Sequence, residues 1–444
     1  MKENSSLMNR RDFMGAAAAA MAFTIVPSYV LGANGKTPPS DKLNAAGIGV
    51  GGKGAGDIRA LGDSNIVAMA DVDLEKASWS FGEFKKAKKY TDFRRMLEKE
   101  GKNIDIVTIS TPDHTHAVAA MACMEMGKHV YVQKPLSHDV FEARKLAEAA
   151  RKYKVATQMG NQGHSGEGIR LIKEWIADGA IGKVTKVHCW TNRPVWPQGM
   201  KKRPSEIQPV PNTLSWDLWL GTAPYRGYNE AYMPGCWRGW WDYGTGVMGD
   251  MGCHILDPVF WGLDLGHPTS IEAEASDHSL EAAPKSSKVS YQFPARGDMP
   301  AVEVIWYDGG NMPPRPKELE EGRRMGDSDG GCLFEGDKGK LMCGCYGKGP
   351  RLIPETKMKE YKRPAKTIAR SKGHYVDWLE ACKGGKPSSS NFDYAGPLTE
   401  VVLLANVALR AGEKIEWDGP NMRVTNIKEA NAYVRRLYRG GWSL

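Results

Sequence analysis

The stretch Ala45-Ala46-Gly47-Ile48-Gly49-Val50-Gly51-Gly52-Lys53-Gly54 decides how this chain of 444 residues is read. A short apolar run leads into glycines spaced Gly49-x-Gly51-x-x-Gly54, and a helical pattern, Ala55–Leu61, follows. Glycines at that spacing permit a tight strand-to-helix turn and let backbone amides approach a pyrophosphate at a helix N-terminus. The motif alone is weak, but the next apolar run, Ile66–Ala70, ends at Asp71. A carboxylate at that place accepts hydrogen bonds from the adenosine ribose diol and repels a 2′-phosphate, which points to NAD rather than NADP.

Outward from the turn, apolar strands alternate with helical patterns. The expected strands are Ala45–Val50, Ile66–Ala70, Ile104–Ser110, His129–Val132 and Val155–Gln158, with helices at Ala55–Leu61, Thr115–Met126 and Asp139–Tyr153 between them. Such alternation predicts an α/β fold, a Rossmann-type doubly wound parallel sheet over residues 40–160. Past Gly160 comes one more helix, Gly166–Asp178, and then sequence rich in Trp, Pro and Gly. Strands at Val184–Thr191, Ser287–Gln292, Ala301–Tyr307 and Lys340–Cys343 predict an α+β domain with an open, mostly antiparallel sheet over residues 161–444. Residues 309–331 are polar and proline-bearing and read as a long loop. Helices at His374–Cys382 and Pro397–Ala411, the latter capped by Gly412, are expected to return to the first domain.

At the N-terminus, Asn9-Arg10-Arg11-Asp12-Phe13-Met14 leads into the apolar run Phe13–Val26, closed by Pro27. The run is shorter than the roughly 20 apolar residues of a spanning helix, so residues 1–33 read as a twin-arginine signal peptide. Cleavage is expected near Gly32–Asn34, giving a periplasmic protein with no membrane insertion afterwards. That export route carries folded proteins, and the space beyond the membrane holds no large pool of free NAD. The cofactor is therefore expected to be tightly bound. The formal charge of +8 is spread along the chain and gives no case for nucleic-acid binding. Eight cysteines form no disulfide framework, and Cys343-Gly344-Cys345 lacks a second pair to complete a metal site.

Three further runs carry chemistry: Ile109-Ser110-Thr111-Pro112-Asp113-His114-Thr115-His116, Val130-Tyr131-Val132-Gln133-Lys134-Pro135, and Trp241 to Asp257 with Asp250-Met251-Gly252-Cys253-His254 inside it. The first two start at strand C-termini, the edge where open α/β sheets bind ligands. In the third, Asp250 and His254 stand i, i+4 and would share one helix face, where a carboxylate can orient an imidazole and raise its basicity. In these runs the chain resembles the Gfo/Idh/MocA oxidoreductases. It fits best a Bacteroidetes-type subgroup with twin-arginine signals and Gln-Lys-Pro in place of Glu-Lys-Pro. The resemblance implies Lys134, Asp250 and His254 as catalytic residues, His254 as acid/base, and a cis bond between Lys134 and Pro135. Thr111, Pro112, Gln133, Lys134 and Asn161 are expected to join Gly49, Gly51, Gly54 and Asp71 at the cofactor, and His116, at a helix start, is expected as a cap or a cofactor contact. Two departures stand out: Gln133 where the family has glutamate, and Asp113 where it has asparagine.

Nine of the 14 tryptophans fall between Trp175 and Trp261, interleaved with hydrogen-bond donors in loop-like sequence. Rings covering the apolar face of a pyranose, with Asn and Arg reaching its hydroxyls, would make a sugar site. Asn192, Arg193, Trp196, Trp237 and Arg238, with Asp250 and His254, are the expected substrate contacts. The resemblance thus implies an NAD-dependent oxidoreductase acting on a secondary ring hydroxyl of a sugar or glycoside, with C3 favoured. An NAD-dependent glycoside hydrolase working by transient oxidation is the rival, and a sugar-binding protein of the same fold is a third reading. A homo-oligomer, dimer or tetramer, is expected by resemblance to relatives that associate through the second sheet.

Overall fold

Parallel strands covered on both faces need nearly continuous apolar sequence, and the first third of the chain supplies it. In a computed structural model that describes residues 42–277 and 279–444, six strands form the first sheet. They are β1 (Asn44–Ile48), β2 (Asn65–Ala70), β3 (Lys88–Tyr90), β4 (Ile106–Ile109), β5 (His129–Val132) and β6 (Thr157–Met159), in the order β3-β2-β1-β4-β5-β6. The pairings β2–β3, β1–β4, β4–β5 and β5–β6 are parallel, with Ile48 opposite Ile109. Strand order reverses between β1 and β4, which opens the crevice where ligands bind in such sheets. The twin-arginine segment and its apolar run lie outside the described residues. Asn44–Gly62 and Ile66–Leu444 form one unit of the chain's contacts.

The helices flanking this sheet start where their caps dictate. Helix Val140–Tyr153 opens with a capping box: Asp139 accepts from the Glu142 N–H at 2.8 Å and Glu142 accepts from the Asp139 N–H at 3.3 Å. Helix Asp113–Glu125 begins two residues before the expected Thr115, because Pro112 precedes its first turn. The edge strand β3 and the helices Ser78–Glu83 and Phe93–Glu100 went unread in the sequence. β3 is Lys-Lys-Tyr, and exposed lysines on an edge strand oppose further pairing while hiding the strand from a hydrophobic pattern.

The second sheet has nine strands: β7 (Val184–Thr191), β8 (Ser270–Ala275), β9 (Ser287–Phe293), β10 (Val302–Tyr307), β11 (Gly330–Gly336), β12 (Gly339–Gly344), β13 (Arg351–Ile353), β14 (Ile415–Asp418) and β15 (Arg423–Val424). Their order is β13-β12-β11-β7-β10-β9-β8-β14-β15; β7 and β10 are parallel and the other pairings antiparallel. β11 starts inside what reads as loop. Its Gly330 has φ +138, and a Cβ there would fall 2.0 Å from the Trp190 carbonyl oxygen, so the close pairing itself demands glycine. Part of this sheet is not open: Leu319 and Met325 from the preceding loop pack on Trp190, Ile305, Tyr307, Leu333 and Met342.

Helix Phe392–Ala411 is apolar almost all round and packs between helix Val140–Tyr153 and β8. It begins earlier than its proline suggested, capped by Asn391 accepting from the Asp393 N–H at 2.9 Å, with Pro397 inside it. Gly412 ends it in the left-handed region, φ 71.

Candidate active site

The glycine turn is built by exclusion. Gly49 has φ +73, and a Cβ on Gly54 would sit 1.9 Å from the Gly49 carbonyl oxygen. A Cβ on Gly51 would sit 2.9 Å from the Lys76 carbonyl oxygen. Asp71, at the C-terminal end of β2, locks the turn: Oδ2 accepts from the Val50 N–H at 2.8 Å and the Gly51 N–H at 3.1 Å. Its Oδ1 accepts from the Asp73 N–H at 3.0 Å. Burial pushes this carboxyl above its ordinary range, against those backbone bonds. Oδ2 accepts two of these bonds and Oδ1 only one, so Oδ1 retains a lone pair for a hydroxyl donor of a ribose diol.

Behind the turn lies a hub that no motif announced. Asp57 is fully buried and accepts from Ser110 Oγ at 2.7 Å, Gln133 Nε2 at 2.9 Å, Tyr375 OH at 2.6 Å, and the Lys53 ammonium. This explains the departure at position 133. A glutamine amide donates to Asp57, whereas a glutamate would face a second buried carboxylate.

At the other end, Lys134 follows β5 and precedes a cis bond to Pro135, as the resemblance implies. Its Nζ donates to Asp250 Oδ1 at 2.6 Å and to the Asp250 carbonyl at 2.9 Å. Arg238 Nε stands 3.4 Å from the same Oδ1, while its Nη1 reaches both oxygens of Asp113, at 3.1 and 3.2 Å. Thr245 Oγ1 donates to Asp113 at 2.6 Å. Asp113 thus holds an arginine, a role its negative charge fits better than the family's asparagine would. Burial alone would raise the Asp250 carboxyl, but Lys134 and Arg238 overcome it and hold the group well below the usual range.

Asp250 lies in a π-helical turn, Met248–Gly252, and His254 in the α-turn Cys253–Ile255 that follows. The expected pairing of carboxylate and imidazole is corrected here. The carboxylate is engaged by Lys134 and Arg238, and the His254 Nδ1 is buried with no partner among the described residues. π turns of this kind recur at functional sites. Burial, then the Lys134 cation, push His254 well below 6.5, so its ring is neutral. Tyr346 packs edge-on against that ring, centroids 4.6 Å apart. It holds φ 62, a left-handed conformation costly for a non-glycine residue and typical of functional sites. Nothing in the sequence beyond the neighbouring Cys343-Gly344-Cys345 run pointed to it.

A cavity of about 590 Å³ joins the two ends. Its wall includes Gly49, Gly51, Asp71, Thr111, Pro112 and Gln133 toward the turn, and Lys134, Arg193, Trp237, Arg238, Asp250 and His254 toward the chemistry. The cradle that Cβ atoms would fill and the carboxylate beside it fit NAD. Four expected contacts lie elsewhere. His116 is buried between the Pro135 and Thr111 carbonyls, 2.8 Å from each, and braces the loops instead of meeting cofactor. Asn161 donates to Asp257 at 3.1 Å and accepts from Ser390 at 2.5 Å, within a polar knot that also holds His164. Asn192 donates to the Ser328 carbonyl at 2.7 Å and lines a separate small cavity. Trp196 donates to Gln198 Oε1 at 2.8 Å and is absent from the main cavity's wall. Gly54 contributes by close packing, not by lining the wall.

Two family descriptions match the chain: "Oxidoreductase family, NAD-binding Rossmann fold" over residues 43–161 and "Oxidoreductase family, C-terminal alpha/beta domain" over residues 166–311. The chain belongs to the Gfo/Idh/MocA oxidoreductase family, whose N-terminal domain binds NAD. Among similar proteins, levoglucosan dehydrogenase of Pseudarthrobacter phenanthrenivorans is 25% identical over 45% of this chain and 42% of its own length. Inositol 2-dehydrogenase of Pseudomonas fluorescens is 30% identical over 40% of this chain and 54% of its own. The match spans about half the length of these relatives. The WlbA dehydrogenase of Bordetella pertussis, solved with NADH and UDP-GlcNAcA, shares the fold with TM-score 0.60 at 16% identity, over 85% of this chain and 99% of that one. A levoglucosan dehydrogenase complex with NADH gives TM-score 0.54 at 17% identity, over 85% and 99%.

Proposed function

We propose that the protein oxidises a secondary ring hydroxyl of a sugar or glycoside with NAD, C3 being the favoured carbon. One observation carries this reading: Lys134, bound to Asp250, and a neutral His254 share a cavity with the glycine turn. When bound, NAD supplies the hydride acceptor. The chain supplies the proton chemistry. An ammonium has three donors, and two of those on Lys134 go to Asp250, leaving one for the reacting oxygen. A cation hydrogen-bonded there favours alkoxide character. His254 is neutral because burial and Lys134 disfavour its charged form, so it enters as the proton acceptor, and the pull of the ammonium on the developing alkoxide offsets the cost of charging the ring. Arg238, 4.3 Å from the Trp237 ring centroid, pairs a flat apolar surface with donors, the combination a pyranose needs.

The twin-arginine segment and the absence of an external NAD pool support a protein that is exported to the periplasm with its cofactor tightly held. The test uses purified protein with no NAD added, mixed with a panel of glycosides while the reduced-nicotinamide absorbance is followed. Growth of that band is expected with one sugar class. Aglycone release with no lasting band would replace the dehydrogenase reading by a redox-neutral hydrolase, and neither signal from any sugar would reject both.

A further inference from the structure

We propose that the C-terminal segment is part of the cofactor site, with Trp442 forming the wall against which the adenine rests and slowing the departure of NAD. The proposal rests on the NAD reading above.

Past the last helix, Asn431–Val434, the chain has no regular structure, yet Arg436, Tyr438 and Arg439 pin it. Arg436 Nη2 donates to the His114 carbonyl at 2.6 Å and to Glu142 at 2.8 Å, and Tyr438 OH donates to the same Glu142 oxygen at 2.6 Å. Arg439 Nη2 donates to the Asp217 carbonyl at 2.9 Å and Nε to the Gly221 carbonyl at 3.1 Å. His114 and Glu142 belong to the Rossmann domain, Asp217 and Gly221 to the second. The segment therefore straps the two together before it reaches the rim.

What it delivers there is an indole. Trp442 lines the cavity together with Thr91, Asp92 and Phe93. Its ring lies 6.1 Å from that of Phe93, and the Arg94 guanidinium lies 4.5 Å from its centroid. Leu444, two residues on, packs onto the hydrophobic core. These rim residues follow β3, and the Tyr90 carbonyl at the end of β3 accepts from the Asp71 N–H at 3.0 Å. The indole thus stands on the adenosine side of the carboxylate suited to the ribose diol. Rings fixed beside such a place give a purine a stacking surface, and every base has a π-face to offer it. Because the ring is carried by a tail anchored on both domains, leaving the cradle requires that tail to move.

The test measures nucleotide, not turnover. Full-length mature protein and its Trp442→Ala variant are denatured and the released NAD is quantified. NAD dissociation is then followed after adding excess unlabelled ADP-ribose to protein loaded with a fluorescent NAD analogue. Wild-type protein is expected to retain NAD through purification, and Trp442→Ala to lose it about tenfold to a hundredfold faster, the cost of one base–aromatic stack. Trp442→Phe should restore most of the retention. Arg439→Ala, which frees the strap without touching the indole, should accelerate release in the same direction and keeps the idea testable if Trp442→Ala fails to fold. Equal occupancy and equal dissociation rates in wild type and variants would overturn the proposal. A wild-type protein that neither carries nor binds NAD would instead overturn the cofactor reading beneath it.

Discussion

Two aspartates face the same cavity and are held in opposite ways. Asp71, at the adenosine end, is bonded by three backbone N–H groups and no cation, and burial raises its pKa. Asp250, at the chemical end, is bonded by Lys134 and approached by Arg238, and those cations keep it ionised in spite of equal enclosure. Neutral donors fix a carboxylate's position but leave its charge to be answered by the ligand. Cations answer the charge within the protein. On the proposed function, one end recognises hydroxyls, and the other keeps an ammonium in place while a proton is moved.

The strongest way to break this contrast is at the chemical end. Lys134→Met leaves the Asp250 charge facing Arg238 alone and removes the donor to the reacting oxygen. Turnover should fall by about a hundredfold to a thousandfold, the usual cost of one such donor, with NAD affinity nearly unchanged. Stopped-flow reduction of bound nicotinamide checks it, and normal turnover would remove Lys134 from the mechanism. At the adenosine end the expected effect is smaller and of another kind. Asp71→Ala loses a hydrogen bond to a charged group, worth about 1.5–3 kcal/mol, so NAD should bind about tenfold to a hundredfold more weakly. Its preference over NADP should shrink as well, because the charge that repels a 2′-phosphate is gone. Titration calorimetry with both nucleotides measures the two effects together.

The first of these ends was far more legible in the sequence than the second. The glycines and Asp71 act through backbone geometry over a short stretch, so their spacing alone carried the message. Lys134, Asp250 and His254 were named through motif resemblance, but the pairing of Lys134 with Asp250 and the distant residues that hold the site were not legible. Arg238 bonds Asp113 across the domains, and Tyr375 reaches Asp57 from a helix more than three hundred positions later. Pairings of that separation leave no periodic trace. The fold shows the same division. The buried parallel strands read clearly from their apolar runs, whereas β11, which opens on two glycines, and the lysine-bearing β3 did not. His116 and Asn161 misled because a polar residue beside a ligand edge looks alike whether it faces the ligand or satisfies buried carbonyls and carboxylates.

Burial sharpens the comparison through pH. Among the described residues, burial holds His254 and His138 well below 6.5, His114 at about 3 and His374 at about 4. Below 6.5 the unfolded chain binds protons that these folded rings refuse, so stability falls with pH by up to about 1.4 kcal/mol per unit for each. For His374 the loss stops near pH 4, where the folded ring also takes its proton. Asp71, Asp139 and Asp308 work with the opposite sign: burial raises all three, Asp139 to about 7 and Asp308 to about 6, so each contributes stability below its unfolded pKa that is lost as pH rises through the folded one. The four deeply buried histidines outweigh these three carboxyls. The urea midpoint should therefore drop steadily from pH 7 to pH 5, and a flat profile would mean that these rings are solvated.

The smallest effect is expected where the tryptophan-rich sequence pointed outside the cavity. Asn192 hydrogen-bonds the Ser328 carbonyl, and Trp196 hydrogen-bonds Gln198. Neither lines the cavity that holds Lys134 and His254, whereas Trp237 and Arg238 do. Asn192→Ala removes a partly exposed amide whose carbonyl partner can turn to water, a change normally within about 0.5 kcal/mol. KM for the sugar should then change by no more than about twofold, while Trp237→Ala should raise it clearly. Both constants come from one set of initial rates. A large rise in KM for Asn192→Ala would mean that the substrate extends beyond the cavity toward β7.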